Sequence, residues 1–398
     1  MKPRPSTAGK LDGPLIDRLA VEIARFHDAT PPRYQAAAAQ RLANVAGRTM
    51  RDIAHATEIL GPRRVVLLHQ QMQVGLIQAM SEVDARGAEG HVKRLHGDLH
   101  LGNVALIDGR PVIFDALEFD EAMATVDVLH DAAFLVMDLW ARGADELAAR
   151  AWSMYLAARD DYSGLALAPL FVAMRAAVRA KVALNAAALA DADAAQRLRS
   201  EAAHYVETAS AALQQPKPRV VAIGGLSGAG KSTVARALAP LMAPAVGAVH
   251  LRSDVLRKRR ARIDFADRLP SSAYTEEESV AVYAGLLERA QSILMQGFPV
   301  IVDAVFARPQ ERRAIADLAR RMNVTFDGIW FDLDLETRQT RIAERASDAS
   351  DATSAVAEAQ EAYDLGEIDW RRIDAGADAA AEAIEALDLQ ASSEPASE

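Results

Sequence analysis

The sequence predicts an α/β protein. Its C-terminal half is read as a five-stranded parallel sheet with helices on both faces, and its N-terminal half as mainly helical with a small hairpin. Three observations carry this. An apolar run, Val220–Ile223, leads into Gly-x-x-x-x-Gly-Lys-Ser at 225–232 and then into helical spacing at Val234, Leu238, Leu241 and Met242. Downstream, strand-like apolar runs alternate with helical patterns, which implies crossover connections and a parallel sheet. Upstream, Ala-rich helical patterns are interrupted by two short apolar runs around Asp108-Gly109, a hairpin turn signal.

Taken in order, residues 1–13 read as an irregular leader. From Pro14 a helical stripe follows, Leu15, Ile16, Leu19, Ile23 and Phe26, closed by Pro31-Pro32. Residues 33–90 continue as helix, with a break at Gly61-Pro62 and interruptions at Gly87 and Gly90. His91–Leu95 reads as extended, His96–Asn103 as a loop, and Val104–Ile107 and Pro111–Phe114 as the hairpin strands, which deliver Asp115. Residues 121–213 return to helix, with buried-looking runs at Ala132–Leu139 and Leu170–Met174.

The polar, proline-punctuated stretch 214–218 reads as a linker between a domain at 1–213 and one at 219–388. Strands are expected at 219–224, 247–252, 299–303, 325–333 and 371–374. Thr275-x-x-Glu278 is a capping box for the helix before the third strand, and Gly297 its stop. The last residues, 389–398, have the composition of a disordered tail.

Composition excludes several classes. No cysteine is present, so disulfides, thiolate zinc sites and cysteine nucleophiles are out. A net charge of −10 argues against broad nucleic-acid or anionic-membrane binding. No apolar run reaches a membrane span, and the basic N-terminus lacks the apolar core of a secretory signal. The expectation is a cytoplasmic protein without a membrane partner; the sequence is silent on oligomeric state.

Gly-x-x-x-x-Gly-Lys-Ser is the P-loop pattern. Gly225, Gly228 and Gly230 let the backbone turn so that successive N–H groups face phosphate oxygens, Lys231 adds charge, and the Ser232 hydroxyl reaches Mg²⁺. The expected nucleotide contacts also take in Ser227, Ala229 and Thr233. The second strand, expected beside the P-loop strand, leads into Asp254 and Arg257. Asp254 is a candidate acceptor of a substrate proton, or else a helix cap; Arg257 is a candidate substrate ligand. The third strand ends in Asp303, the arrangement of a carboxylate that holds Mg²⁺. Arg338, Arg341 and Arg345 share a helical face over Leu335–Arg345, either as solvated surface or as a lid closing on a phosphoryl group, with a small polar stretch at 346–353 behind it. The basic run Arg257–Arg262 is either surface or a grip on an anionic substrate.

Residues 219–388 resemble the small P-loop kinases, the group that includes gluconate and shikimate kinases, chloramphenicol phosphotransferase and the polynucleotide 5′-kinase domain. The resemblance rests on Gly225–Ser232, Ser253-Asp254 with Arg257, Asp303 and the Arg341/Arg345 helix. It implies Asp254 as base and Arg341 and Arg345 as a lid clamp.

In the N-terminal half, His96-Gly97-Asp98 with Asn103 five residues after the Asp has the spacing of a kinase catalytic loop. In that chemistry Asp98 deprotonates the acceptor, and Asn103 and a later acid, here Asp115, hold Mg²⁺. Metal binding by His96 and His100 is the alternative. The stretch 91–140 resembles the aminoglycoside and choline phosphotransferases, and the whole chain resembles the bacterial bifunctional aminoglycoside phosphotransferase/ATP-binding family. Only about ninety residues precede His96, without a glycine-rich cover or strand lysine. The half therefore matches the C-terminal kinase lobe alone, through a late start or a degenerate lobe. The expected function is transfer of the γ-phosphate of Mg·ATP to a hydroxyl of a small molecule. An ATP-dependent regulatory switch and a polynucleotide 5′-kinase are the alternatives.

Overall fold

The computed structural model describes residues 11–34, 37–118, 121–344, 350–376 and 378–389. Most of the expected leader and tail, and Arg345 with residues 346–349 of the expected lid, lie outside them. The chain divides into two compact units. The first takes in residues up to Tyr155, Gly164–Gln215 and Pro244–Val246; the second takes in Leu156–Ser163, Pro216–Ala243 and Gly247 onward. Among the described residues no helix is long and apolar enough to cross a membrane.

The first unit is built on helices α1 (Gly13–Ala29), α2 (Ala38–Ala54), α3 (Thr57–Leu60) and α4 (Pro62–Ala88), then α5 (Glu121–Ala124), α6 (Val128–Ala141), α7 (Asp145–Arg159, whose end from Leu156 belongs to the second unit), α8 (Ala168–Ala187) and α9 (Ala192–Ala212). Helix α1 starts where Asp12 caps it, its carboxylate accepting the Leu15 N–H at 2.8 Å. It buries the predicted stripe Leu15, Ile16, Leu19 and Ile23. Gly61, at φ +91°, separates α3 from α4 at the expected break, whereas Gly87 lies inside α4 without ending it. Strand β2 (Val104–Ile107) and strand β3 (Arg110–Ile113) pair antiparallel. The Asp108-Gly109 turn between them has both φ values positive, as the primed hairpin turns require.

One expectation for this half fails. The extended segment found as β1 (Val92–Arg94) pairs antiparallel with β4 (Thr125–Asp127), inside the stretch read as continuous helix. Three residues are too few to show a period of two, and the partner strand supplies the hydrogen bonds that local propensity cannot.

The second unit is the predicted sheet. Strands β5 (Arg219–Gly225), β6 (Val249–Arg252), β7 (Val300–Asp303), β8 (Thr325–Asp332) and β9 (Arg371–Asp374) are all parallel, in the order β6-β7-β5-β8-β9. The connecting helices are α10 (Lys231–Met242), α11 (Ser253–Ala261), α12 (Glu276–Met295), α13 (Pro309–Arg321), α14 (Leu335–Ala343) and α15 (Ser354–Ala359), with α16 (Ala379–Ala386) last. Helices α10 and α16 pack together on one face, α12 and α13 on the other. Val220–Ile223 are therefore wholly buried, which is why β5 reads as an unbroken apolar run. Thr275 caps α12 by accepting the Glu278 N–H at 3.3 Å, while the Glu278 carboxylate pairs with Arg260 instead of completing the capping box.

The strand order corrects one placement. The neighbour of the P-loop strand is β7, which carries Asp303; β6, which leads to Asp254, is one strand further out. Sequence order alone does not decide this, because β6 is reached by a crossover that skips a position.

Candidate active site

All five strands point their carboxyl ends to one edge, the edge at which ligands of open α/β sheets bind. There β5 runs into the turn 225–230 and then α10. Gly228 and Gly230 have φ of +89° and +90°. Gly228 has a second constraint: a β-carbon on it would stand 2.7 Å from the Arg338 carbonyl oxygen. The turn thus passes against α14, and only glycine allows both the backbone conformation and the approach. Lys231 Nζ donates to the carbonyl oxygens of Gly225 (2.7 Å) and Leu226 (3.1 Å), which holds its charge across the turn. Residues 230–232 open α10, so their N–H groups and the helix dipole face the same space.

Beneath the turn, Ser232 Oγ donates to Asp303 Oδ2 at 2.5 Å. His250 Nε2 lies 3.2 Å from the same oxygen, and Arg252 Nε 4.0 Å from it. Burial alone would raise the Asp303 carboxyl. The His250 hydrogen bond, with the charges of Lys231 and Arg252, overrides it and holds the carboxyl well below the usual carboxylate range. Burial keeps the His250 imidazole below its ordinary value against the pull of Asp303. Ser232 and Asp303 are thus a hydroxyl–carboxylate pair of hard oxygen donors. That pair fits Mg²⁺, which keeps water and phosphate oxygens for most of its ligands and asks the protein for one or two. Among the described residues no group of three or more His, Asp or Glu is placed to hold a metal ion.

Asp254 lies in the first turn of α11, half-buried, at the carboxyl edge beyond β6. Arg252 is the N-cap of that helix, and no side-chain capping bond is made, so the capping alternative for Asp254 finds no support. Burial pushes the nearby Tyr274 phenol up to about 12, with the Asp254 and Asp351 carboxylates adding to it. Arg257 is buried, donating to the Ala273 carbonyl oxygen at 2.6 Å with its guanidinium 5.0 Å over the Tyr274 ring.

The basic run that Arg257 opens is largely structural. Lys258 is fully buried, on Asp351 (3.2 Å) and the Phe265 carbonyl oxygen. Arg259 donates to the Ala157–Arg159 carbonyl groups and pairs with Asp160, and Arg260 pairs with Glu278. A grip on an anionic polymer is not what these four side chains form.

Helix α14 ends at Ala343, short of the predicted Arg345. Its arginines are not a solvated face. Arg338 is buried, pairs with Glu361, and donates to the Leu333 carbonyl oxygen at 3.2 Å and that of Ser227 at 3.4 Å. Arg341 donates to the Ala375 carbonyl oxygen at 2.7 Å, and its Nη1 stands 3.4 Å from where a Gly230 β-carbon would be.

A residue that the sequence did not single out completes the turn. Gln360 is buried, accepts the Ser227 N–H at 2.7 Å and donates to Ser227 Oγ at 3.0 Å. It arrives 133 residues after Ser227, from the short helical turn Gln360–Ala362, with no motif to announce it. Gln360→Ala is expected to weaken ATP binding about 5–10-fold, the worth of one or two hydrogen bonds that fix the turn. Calorimetry decides the role: tighter binding in the variant would mean instead that the carboxamide competes with phosphate for the Ser227 N–H.

In the first unit the residues with catalytic-loop spacing come together. Asn103 Nδ2 donates to the Asp98 carbonyl oxygen (2.9 Å) and to Asp98 Oδ2 (3.1 Å). Burial works to raise the Asp98 carboxyl, but hydrogen bonds from His100 and Asn103 hold it below its ordinary value. Asp115 is exposed at φ +62°, directly after Phe114, whose N–H donates to the Asn103 carbonyl oxygen. The two histidines are otherwise engaged. His96 Nε2 is on the Phe114 carbonyl oxygen, and His100 accepts the Gly102 N–H and lies 3.4 Å from Asp98. Two acids of α6 seat this loop. Asp131 accepts the N–H groups of His96 (3.3 Å) and Gly97 (2.8 Å), and Asp138 that of Leu101 (2.9 Å). Two acids seven apart in a buried run were the available signal for them.

Comparison with known proteins gives three results. Residues 220–364 match the family model described as an AAA domain. The chain is 29% identical over 321 residues to uncharacterized proteins of Mycobacterium bovis and Mycobacterium tuberculosis, spanning 79% of this chain and 63% of each relative's length. Among solved structures, it is similar to a gluconokinase from Sinorhizobium meliloti (21% identity, TM-score 0.32, 44% of this chain and 94% of that one). It is also similar to the Mycobacterium tuberculosis APS kinase CysC (20% identity, TM-score 0.32, 44% and 98%).

Proposed function

We propose that the second unit transfers the γ-phosphate of Mg·ATP to a hydroxyl group of a small molecule, in the cytoplasm. The observation that carries this reading is the 2.5 Å contact between Ser232 of the phosphate-binding turn and Asp303 at the end of the adjacent strand. The turn 225–233 supplies N–H groups and Lys231 to the phosphates, and Ser232 and Asp303 would hold Mg²⁺. Bound there, the ion neutralises phosphate charge. Asp254 takes the proton of the acceptor hydroxyl. Arg341, beside Gly230, faces the charge that develops on the transferring group. Arg257 shapes the acceptor side by fixing Ala273 and Tyr274 rather than by gripping the substrate. The first unit carries the Asp98–Asn103 pair of a kinase-like catalytic loop, which supports a relation to the phosphotransferase lobe without assigning it turnover.

The reading is tested by screening hydroxyl compounds for acceptor-dependent ADP release, with Lys231→Ala as the blank. Slow hydrolysis that no acceptor stimulates, but a protein partner does, would favour the regulatory switch instead. Once an acceptor is found, Asp254→Asn should lower kcat by roughly 10²–10⁴-fold, the usual worth of a general base. ATP affinity should barely move. An unchanged kcat would remove Asp254 from the mechanism.

A further inference from the structure

The first unit contains a cavity of about 60 Å³, bounded by α2, α4, α8 and the β1–β4 ribbon. At about 10–15 Å³ for each water position, it has room for a few water-sized groups, the span of a short branched chain. Its walls are apolar. Met50, Met72, Met123 and Met174 contribute thioethers, which adapt to the shape of a guest, and Phe171 contributes a ring face. Such walls offer water few of the partners it needs.

The polar groups in the lining are few and unevenly satisfied. Asp127 is neutralised by Arg86, through Nε at 2.7 Å and Nη2 at 3.2 Å. Arg175 spends Nε on the His130 carbonyl oxygen and Nη1 on that of Gly97, both at 3.0 Å. Its Nη2 lies 3.6 Å from Asp131 and makes no hydrogen bond. His130 Nδ1 is likewise buried without a partner. Arg175 and His130 are 2% and 5% exposed, so bulk water does not satisfy these atoms. Buried polar atoms left unpaired destabilise the fold, and an occupant that pairs them recovers that cost. Burial, aided by Arg175, holds the His130 imidazole well below its ordinary value, so it stays neutral. Arg41, which is exposed, adds a positive charge to the lining. Asp131 already balances the Arg175 charge, so the unpaired Nη2 and Nδ1 ask for a hydrogen-bond acceptor, Arg41 for negative charge, and the walls for a compact apolar body.

We propose that this cavity binds a small monocarboxylate with a short branched aliphatic body, its carboxylate serving Arg175 and His130 and its body lying against the methionines. Arg175 also holds the Gly97 carbonyl group, so occupancy bears on the seating of the His96–Asn103 loop. The proposal does not depend on the reading of the second unit.

Isobutyrate is the probe, with isobutanol as its uncharged analogue, and binding to the full chain is followed by calorimetry and thermal shift. Isobutyrate should bind and raise the melting temperature, and isobutanol should bind roughly tenfold more weakly, for want of charge-assisted hydrogen bonds. Ala46→Leu, which fills the cavity from α2, should abolish isobutyrate binding without lowering the melting temperature. Should that variant fold poorly, Arg41→Glu on the exposed side should weaken isobutyrate severalfold at unchanged melting temperature. Isobutyrate binding that neither variant alters would overturn the site. Isobutanol binding as tightly as isobutyrate would overturn the ligand class, and no isobutyrate binding at all to the wild-type chain would overturn both.

Discussion

Lys231→Ala loses Mg·ATP affinity by at least about a hundredfold while the protein remains folded. Two charge-assisted hydrogen bonds to phosphate oxygens, at about 1.5–3 kcal/mol each, account for a loss of that size. The side chain is only half-buried, and it bonds the turn's own carbonyl groups of Gly225 and Leu226. Its removal therefore leaves the sheet and the packing of Val234 and Leu238 intact. Calorimetry with Mg·ATP and a melting curve on the same variant check both halves of the statement. Unchanged affinity in a folded variant would rule out phosphate binding at the turn.

Asp131→Ala destabilises the first unit by about 3–5 kcal/mol, the range for removing one partner of a buried charge pair. Asp131 is wholly buried and serves four groups: the His96 and Gly97 N–H, His27 Nε2 at 3.2 Å and Arg175. Without it, two buried N–H groups lose their acceptor and the buried Arg175 guanidinium loses its nearby counter-charge. Burial works against the charged carboxylate, but the His27 hydrogen bond outweighs it and holds the Asp131 pKa below the ordinary value. The stabilisation is therefore complete above the unfolded value, near about 4, and disappears as pH falls through the lower folded value. Chemical unfolding followed in the first unit measures the effect. A cost below about 1 kcal/mol would show that water or relaxed neighbours replace the carboxylate.

Much of the second unit was legible because its signals are local. The predicted strand 371–374 is β9, and 219–224 and 325–333 differ from β5 and β8 by a single residue at one end. Glycine spacing, a following lysine and an apolar run are all constraints felt within a dozen residues. Ser232 and Asp303 were also nameable separately, one by motif and one by its place at a strand end. What the sequence could not supply was adjacency. Whether Asp303 or Asp254 stands beside the P-loop strand depends on which way a crossover turns. Gln360 and Arg338 join the turn through contacts more than a hundred residues apart; Gln360 belongs to no motif, and Arg338 was readable only as one of three arginines on a helical face. The basic run 257–262 looked like surface or a substrate grip because charge is the only local cue. Lys258 is buried because a fold-specific acid, Asp351, meets it. In the first unit the loop residues were readable by spacing, whereas Asp131 and Asp138 were hidden inside an apolar helix.

The pairing of the central strands limits which insertions and deletions the gene can absorb. Asp303 is held level with Ile223 on one side and with Arg252 on the other by the parallel ladder. Side chains alternate faces along a strand, so one residue added or lost within 300–303 would turn the Asp303 carboxylate away from Ser232 without changing any residue of the site. The same change in the connection 262–270, which carries no ladder, leaves that alignment to the strands themselves. Length variation among relatives should therefore collect in such connections and stop abruptly at the strand ends.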